Sequence, residues 1–180
     1  MTEIAMRIGA LVLMAALSGA TPAVAEIVSR SDNTFTLRFA VGLEASRADV
    51  IDAVQNVPAW WDPAHSYTGD AANLSLAFQP GGCWCERMAD GTDFRHGSVV
   101  SIDPDQIRFN APLGPLNGKA TRADLTFSAG PENRGTLASM EFVVEGPGIG
   151  AFADAVHGVM QQAWTRYVRF IEYGEPAAQD

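Results

Sequence analysis

Positive charge is what this sequence has least of. Lys119 is its only lysine, and 12 lysines and arginines stand against 21 acidic residues, for a net charge of −9. The arginines are scattered, so there is no basic patch of the kind nucleic-acid binding needs. An anionic membrane surface would repel such a chain. The G-x-x-x-x-G-K-[ST] loop that cradles nucleotide phosphates is absent. No spacing suggests a Ser/His/Asp arrangement or a catalytic carboxylate pair. Beyond the first 20 residues there is no long apolar run, so stable membrane insertion is not expected. Internal repeats are lacking, and so is any linker long enough to separate two domains. Cysteine is nearly absent: Cys83 and Cys85 are the only two.

What is present begins with the N-terminus. Ile8 to Ala20 is apolar and uncharged, Arg7 precedes it, and Ala23-Val24-Ala25 places small residues where a signal peptidase cuts. The run is too short for a bilayer span of roughly 20 residues. Residues 1–25 therefore read as a cleavable signal peptide, with Glu26 opening the mature chain. Glu3 interrupts the positive start, and initiation at Met6 would give a cleaner one. No cysteine lies at the cleavage region, so no lipid anchor is expected. The implied destination is the periplasm or the exterior of a bacterium. Residues 26–174 then form one domain, and 175–180 a frayed tail.

Residues 34–43 alternate, with Phe35, Leu37, Phe39, Val41 and Leu43 on one side, as in a half-buried strand. Ser46 and Asp49 have capping-box spacing. Val50, Ile51, Val54 and Val57 then recur at helical intervals, predicting a helix over 47–57. Pro58 to Pro63 encloses a second short segment carrying Trp60 and Trp61. From Leu74 to Val144 the chain reads as antiparallel strands broken by Gly81-Gly82, Asp90-Gly91, Pro104-Asp105 and the loop 130–135. After Gly146-Pro147-Gly148 a long helix is expected over 151–173, with Phe152, Val156, Val159, Met160, Ala163, Tyr167 and Ile171 on its apolar face. This order predicts an α+β domain: a curved antiparallel sheet around a long C-terminal helix, with two short helices after the first strand. A cavity is expected between sheet and helix.

The chain resembles the SRPBCC (START-like, helix-grip) superfamily, nearest the branch related to the C-terminal domain of the activator of Hsp90 ATPase. The resemblance rests on Trp60-Trp61, the segment His65 to Asp70, Asn73 to Leu76, Gly81 to Glu86, His96, Pro104 and Leu113-Gly114-Pro115-Leu116. It spans about 34–173 and implies a helix-grip fold. Proteins of this superfamily bind lipids, sterols, hormones and polyketides, and only some catalyse, so the resemblance implies a pocket more than an activity. Export would separate this chain from any cytosolic role on Hsp90.

The expected ligand is a small, mostly apolar molecule, with Trp60, Trp61, His65, Tyr67, Met160 and Trp164 as candidate binding residues. His65 and Tyr67 lie in a Gly/Asp-rich loop, where such residues are more often at the surface than at a ligand, and His157 reads as solvent-exposed. A second candidate lies on the Asp90-Gly91 hairpin. With a two-residue loop, Cys85 faces His96, and Cys83, Cys85 and His96 share one face while Trp84 and Glu86 share the other. A bulged three-residue loop shifts the register and breaks that pairing. The cysteines have three readings. They are small core residues, or with His96 they are ligands for Zn²⁺ or Cu(I), or they are a disulfide in an oxidising compartment. Glu86 with Arg95 reads as a cross-strand pair on the outer face. A redox or metal enzyme, or a structural module without a small ligand, are the alternatives to a binding protein.

Overall fold

The computed structural model describes residues 23–175. Residues 1–22 of the expected signal peptide and most of the expected tail lie outside that range. Eight strands form one antiparallel sheet: β1 (Val24–Arg30), β2 (Thr34–Leu43), β3 (Leu74–Leu76), β4 (Cys83–Arg87), β5 (Asp93–Asp103), β6 (Gln106–Asn110), β7 (Arg122–Glu132) and β8 (Gly135–Glu145). Their spatial order is β1-β2-β8-β7-β6-β5-β4-β3. The helices are α1 (Arg47–Val54), α2 (Val57–Trp60) and α3 (Ala153–Tyr173). The architecture is the α+β arrangement expected, a curved sheet gripping a long C-terminal helix. The two short helices follow the second strand rather than the first, because β1 has no clean alternation. Only Val24 and Ile27 of its seven residues are even half-buried, and its register to β2 shifts between Ile27 and Ser29. Cleavage after Ala25 would leave Glu26 to Arg30 in this strand.

Strict alternation produces the central strands. Phe35, Leu37 and Phe39 of β2, Leu125 and Phe127 of β7, and Met140, Phe142 and Val144 of β8 all point into one core. The register between β2 and β8 runs unbroken from Thr34↔Glu145 to Leu43↔Thr136, so the two inner faces stay in phase. The opposite faces carry ion pairs such as Arg38–Glu141 and Arg122–Glu145.

The helices close that core. The Ser46 hydroxyl accepts the Asp49 N–H and the Asp49 carboxylate accepts the Ser46 N–H, so α1 starts with the expected capping box. The expected helix 47–57 is split: α1 ends at Val54, and Pro58 sits in the first turn of α2, where its missing N–H costs nothing. On α3, Val156, Met160, Ala163, Trp164 and Tyr167 are buried, and the Tyr167 hydroxyl donates to the Val50 carbonyl of α1. Burial pushes the Tyr167 phenol well above its ordinary range. Gly174, left-handed at φ 73°, ends the helix. Among the described residues no helix is long and apolar enough to cross a membrane.

Candidate functional site

The site is set by the β4–β5 hairpin, and there the structure departs from the two-residue loop. The Met88 N–H donates to the Thr92 carbonyl, and Gly91 lies in the left-handed region at φ 81°. The loop is therefore Ala89-Asp90-Gly91, a three-residue connection with glycine at its left-handed position. The Asp90 carboxylate accepts from both the Thr92 N–H and hydroxyl. Next to this loop the pairing is Arg87↔Asp93, Glu86↔Phe94 and Cys85↔Arg95. A bulge then follows, and beyond it Trp84 pairs with Gly97 and Cys83 with Ser98. His96 is the extra residue.

One residue of slip inverts the chemistry of the hairpin. Trp84 and Glu86 point inward, while Cys83, Cys85 and Arg95 point outward. The expected convergence of Cys83, Cys85 and His96 does not form. The cysteines lie half-buried on the outer face and are joined as a disulfide. The expected outer-face pair of Glu86 with Arg95 is replaced by a buried pair of Glu86 with His96. Among the described residues no cluster of three histidine, cysteine or acidic side chains is arranged to hold a metal ion.

The disulfide fits because the strand is contracted. Its Cα atoms are 5.4 Å apart, where two residues of extended strand span about 6.6 Å. Upstream, Gly82 carries the tight approach: a Cβ there would lie 1.8 Å from the Ala77 carbonyl oxygen. The bridge encloses only Trp84, so it removes little unfolded-state entropy, about 1–2 kcal/mol. Alkylation should leave both cysteines unmodified until a reductant is added, and reduction should lower denaturant-derived stability by that amount. A loss above about 3 kcal/mol would show that the bridge holds the bulge as well.

Above this hairpin, β5, the segment after α2, the loop between β6 and β7, and the start of α3 enclose a cleft of about 410 Å³. That volume suits a small organic ligand. Trp61, His65, Ser66 and Tyr67 form one wall, and Leu113, Gly114 and Pro115 another. Phe152, Ala155, Val156, Val159 and Met160 form the helix side, and His96 lies at the sheet side. The lining is mostly apolar. Of the six binding candidates, Trp61, His65, Tyr67 and Met160 are thus in the cleft. Trp60 and Trp164 are not. Trp60 is in the core between Trp61, Trp84, Phe127 and Tyr167, and its indole N–H donates to the Ala53 carbonyl. Trp164 packs on Phe39 and Tyr167. His157, expected at the surface, stacks on Phe39 with its Nε2 buried.

Hydrogen bonds fix the mouth. The Trp61 indole donates to the His65 carbonyl, His65 Nε2 lies 2.6 Å from Gln162 Oε1 on α3, and the Ser66 hydroxyl donates to the Pro63 carbonyl. The Arg166 guanidinium donates to the Trp60 carbonyl. Tyr67, 53% exposed, stands at the rim, stacked on His96. Beneath it lies Glu86, fully buried. Its Oε1 accepts the Thr68 N–H at 2.7 Å, and its Oε2 accepts the Tyr67 N–H at 3.1 Å and meets His96 Nε2 at 2.8 Å. Burial raises the Glu86 carboxyl, but the bonds from Thr68, Tyr67 and His96 together outweigh it and hold the group below its ordinary value. The carboxylate therefore ties three things together: the segment 67–68, the imidazole and the sheet. From the sequence, Glu86 as the partner of His96 was the missed residue. The signal available was its place on the same strand face as Trp84, and the register hid it.

Comparison with known proteins supports the architecture. No family model matches the chain, and no curated protein matches its sequence. Solved structures do match. A protein from Rhizobium leguminosarum is 23% identical with a TM-score of 0.56, covering 81% of this chain and 99% of its own. The chain has the helix-grip fold. The di-domain ARO/CYC BexL, from the BE-7585A biosynthetic pathway, matches at 19% identity and a TM-score of 0.53, over 86% of this chain. This chain spans about half of that protein, 53% of its length. A Nitrosomonas europaea protein matches at 12% identity and a TM-score of 0.53, over 80% of this chain and 97% of its own. At these identities the likeness is one of fold alone.

Proposed function

We propose that the protein is an exported binding protein for a small, mostly apolar ligand held between sheet and α3. The observation that carries this is the open, apolar-walled cleft at the head of α3, with a single buried polar pair at its floor. A structural module would have filled that space with side chains. The signal-like N-terminus supports export, and the Cys83–Cys85 disulfide suits an oxidising compartment. The residue pattern from Trp60-Trp61 to Leu116 supports a place near the Hsp90-activator branch of the SRPBCC superfamily, with export removing the chaperone role.

A neutral naphthylamine dye that fluoresces in apolar surroundings serves as probe. Binding should be saturable and of one-to-one stoichiometry. Ala155 is exposed on α3 and lines the cleft, so Ala155→Trp should fill the space without disturbing the core. Dye affinity is expected to fall at least about ten-fold, equivalent to 1.4 kcal/mol, with Tm unchanged. Unsaturable dye binding, or full affinity in the variant, would refute the assignment of the cleft.

A further inference from the structure

Three polar groups lining the cleft are already occupied. The Trp61 indole, His65 Nε2 and the Ser66 hydroxyl each have a partner within the protein. Tyr67 stands half-exposed at the rim. The buried residue of the lining with a ring nitrogen to spare is His96. Its ring is 95% or so removed from solvent, with 5% of the residue exposed, and lines the cleft. Its Nε2 is held by Glu86, and among the described residues its Nδ1 makes no hydrogen bond. Tyr67 and Phe94 pack on the ring, at centroid distances of 5.6 and 5.0 Å, and fix its plane.

The orientation of the proton follows from Glu86. A carboxylate that accepts two backbone N–H groups can only accept from His96 as well, so Nε2 carries the proton of the neutral imidazole. In the neutral imidazole Nδ1 is then a lone-pair acceptor, on a residue that lines a cleft with no charged side chain in its walls. An acceptor left unpaired in apolar surroundings favours any ligand that brings it a donor and disfavours one that does not.

We infer that His96, positioned by Glu86, is the recognition residue of the cleft, and that the ligand class is an apolar ring compound bearing one hydroxyl donor. The O–H of the ligand donates to Nδ1, and its rings lie against Trp61, Phe152 and Met160. Glu86 is a positioning residue, since it acts through His96. This inference rests on the apolar-ligand reading and sharpens it: that reading says where a ligand lies, and this one says which polar group it must carry.

The test uses the full chain with two probes of nearly equal shape, naphthol and its methyl ether. Calorimetry should show naphthol binding about ten-fold more tightly. In His96→Phe the preference should vanish while the ether still binds. Tyr67→Phe should keep the preference, which separates His96 from the rim hydroxyl. If His96→Phe does not fold, the wild-type protein still decides. Nitrogen-15 spectra of its histidines should show His96 protonated at Nε2, and naphthol, not the ether, should shift Nδ1. Equal affinities for the two probes, or a proton on Nδ1, would overturn the inference and leave the apolar-ligand reading standing. Failure of both probes to bind would overturn that reading, and this inference with it.

Discussion

Trp60→Ala is expected to destabilise the protein by about 3–5 kcal/mol, the range for deleting a large aromatic from a packed core. Trp60 is 1% exposed, and its ring meets those of Trp61, Trp84, Phe127 and Tyr167 at centroid distances of 5.4–6.2 Å. These edge-to-face contacts join α2 to α3 and to the middle of the sheet. The substitution also removes the donor to the Ala53 carbonyl at the end of α1. Denaturant unfolding measures the loss. Trp61→Ala is the informative companion, since Trp61 is packed against the same cluster but also lines the cleft. If Trp60 were a cavity lid, its removal would weaken dye binding and leave stability within about 1 kcal/mol, and that result would contradict the core placement.

Glu86→Ala is expected to cost about 2–4 kcal/mol, because it strands the Tyr67 and Thr68 N–H groups and His96 Nε2 in a desolvated place. Glu86→Gln should recover only part of this. An amide has one acceptor oxygen, so its NH₂ must confront a backbone N–H of Tyr67 or Thr68. The acid limb of stability carries the same signature. The Glu86 carboxyl is held below its ordinary 4.5 in the folded protein. Its stabilising contribution is therefore complete above pH 4.5 and is lost as pH falls through the lower, folded value. Asp90 is also held low, by Thr92, but it is exposed and contributes little. Unfolding free energy measured from neutral pH down to about pH 3 should thus fall less steeply in Glu86→Gln than in the wild type. Parallel slopes would mean that Glu86 does not hold its proton balance as described.

The two variants also differ in reach. Trp60 supports the whole domain, whereas Glu86 supports one corner: the 67–68 segment, the imidazole and the floor of the cleft. Loss of Glu86 should therefore release His96 and blunt any preference for a hydroxyl donor before it unfolds the sheet.

Much of the architecture was written in local pattern. The alternation over 34–43 determined β2 and which of its faces is buried. The Ser46–Asp49 spacing determined where α1 begins. The helical period after Gly148 determined α3 nearly to the residue. These succeed because each depends on contacts within a few residues, or on a face whose apolar character is unmistakable. The missed β1 shows the converse: an edge strand with mostly exposed side chains and a register shift carries no period to detect.

The site depended on phase rather than period. The alternation of Cys83, Trp84, Cys85, Glu86 and Arg87 identifies a strand, but cysteine on one face and tryptophan on the other leave open which face is inside. Asp90-Gly91 identifies a turn, but both a two-residue and a three-residue loop accept that pair. The three-residue loop shifts the near half of the hairpin by one, and the bulge at His96 restores the far half. That slip takes His96 away from Cys85 and brings it to Glu86, while the inward packing of Trp84 leaves the thiols on the outer face, joined as a disulfide. The sequence by itself determined every strand but the edge strand β1, the long helix and the residues available for chemistry. Only the tertiary structure decided which of them meet, because the choice of inner face lies in packing Trp84 against Trp60, Trp61 and Phe109 from distant parts of the chain.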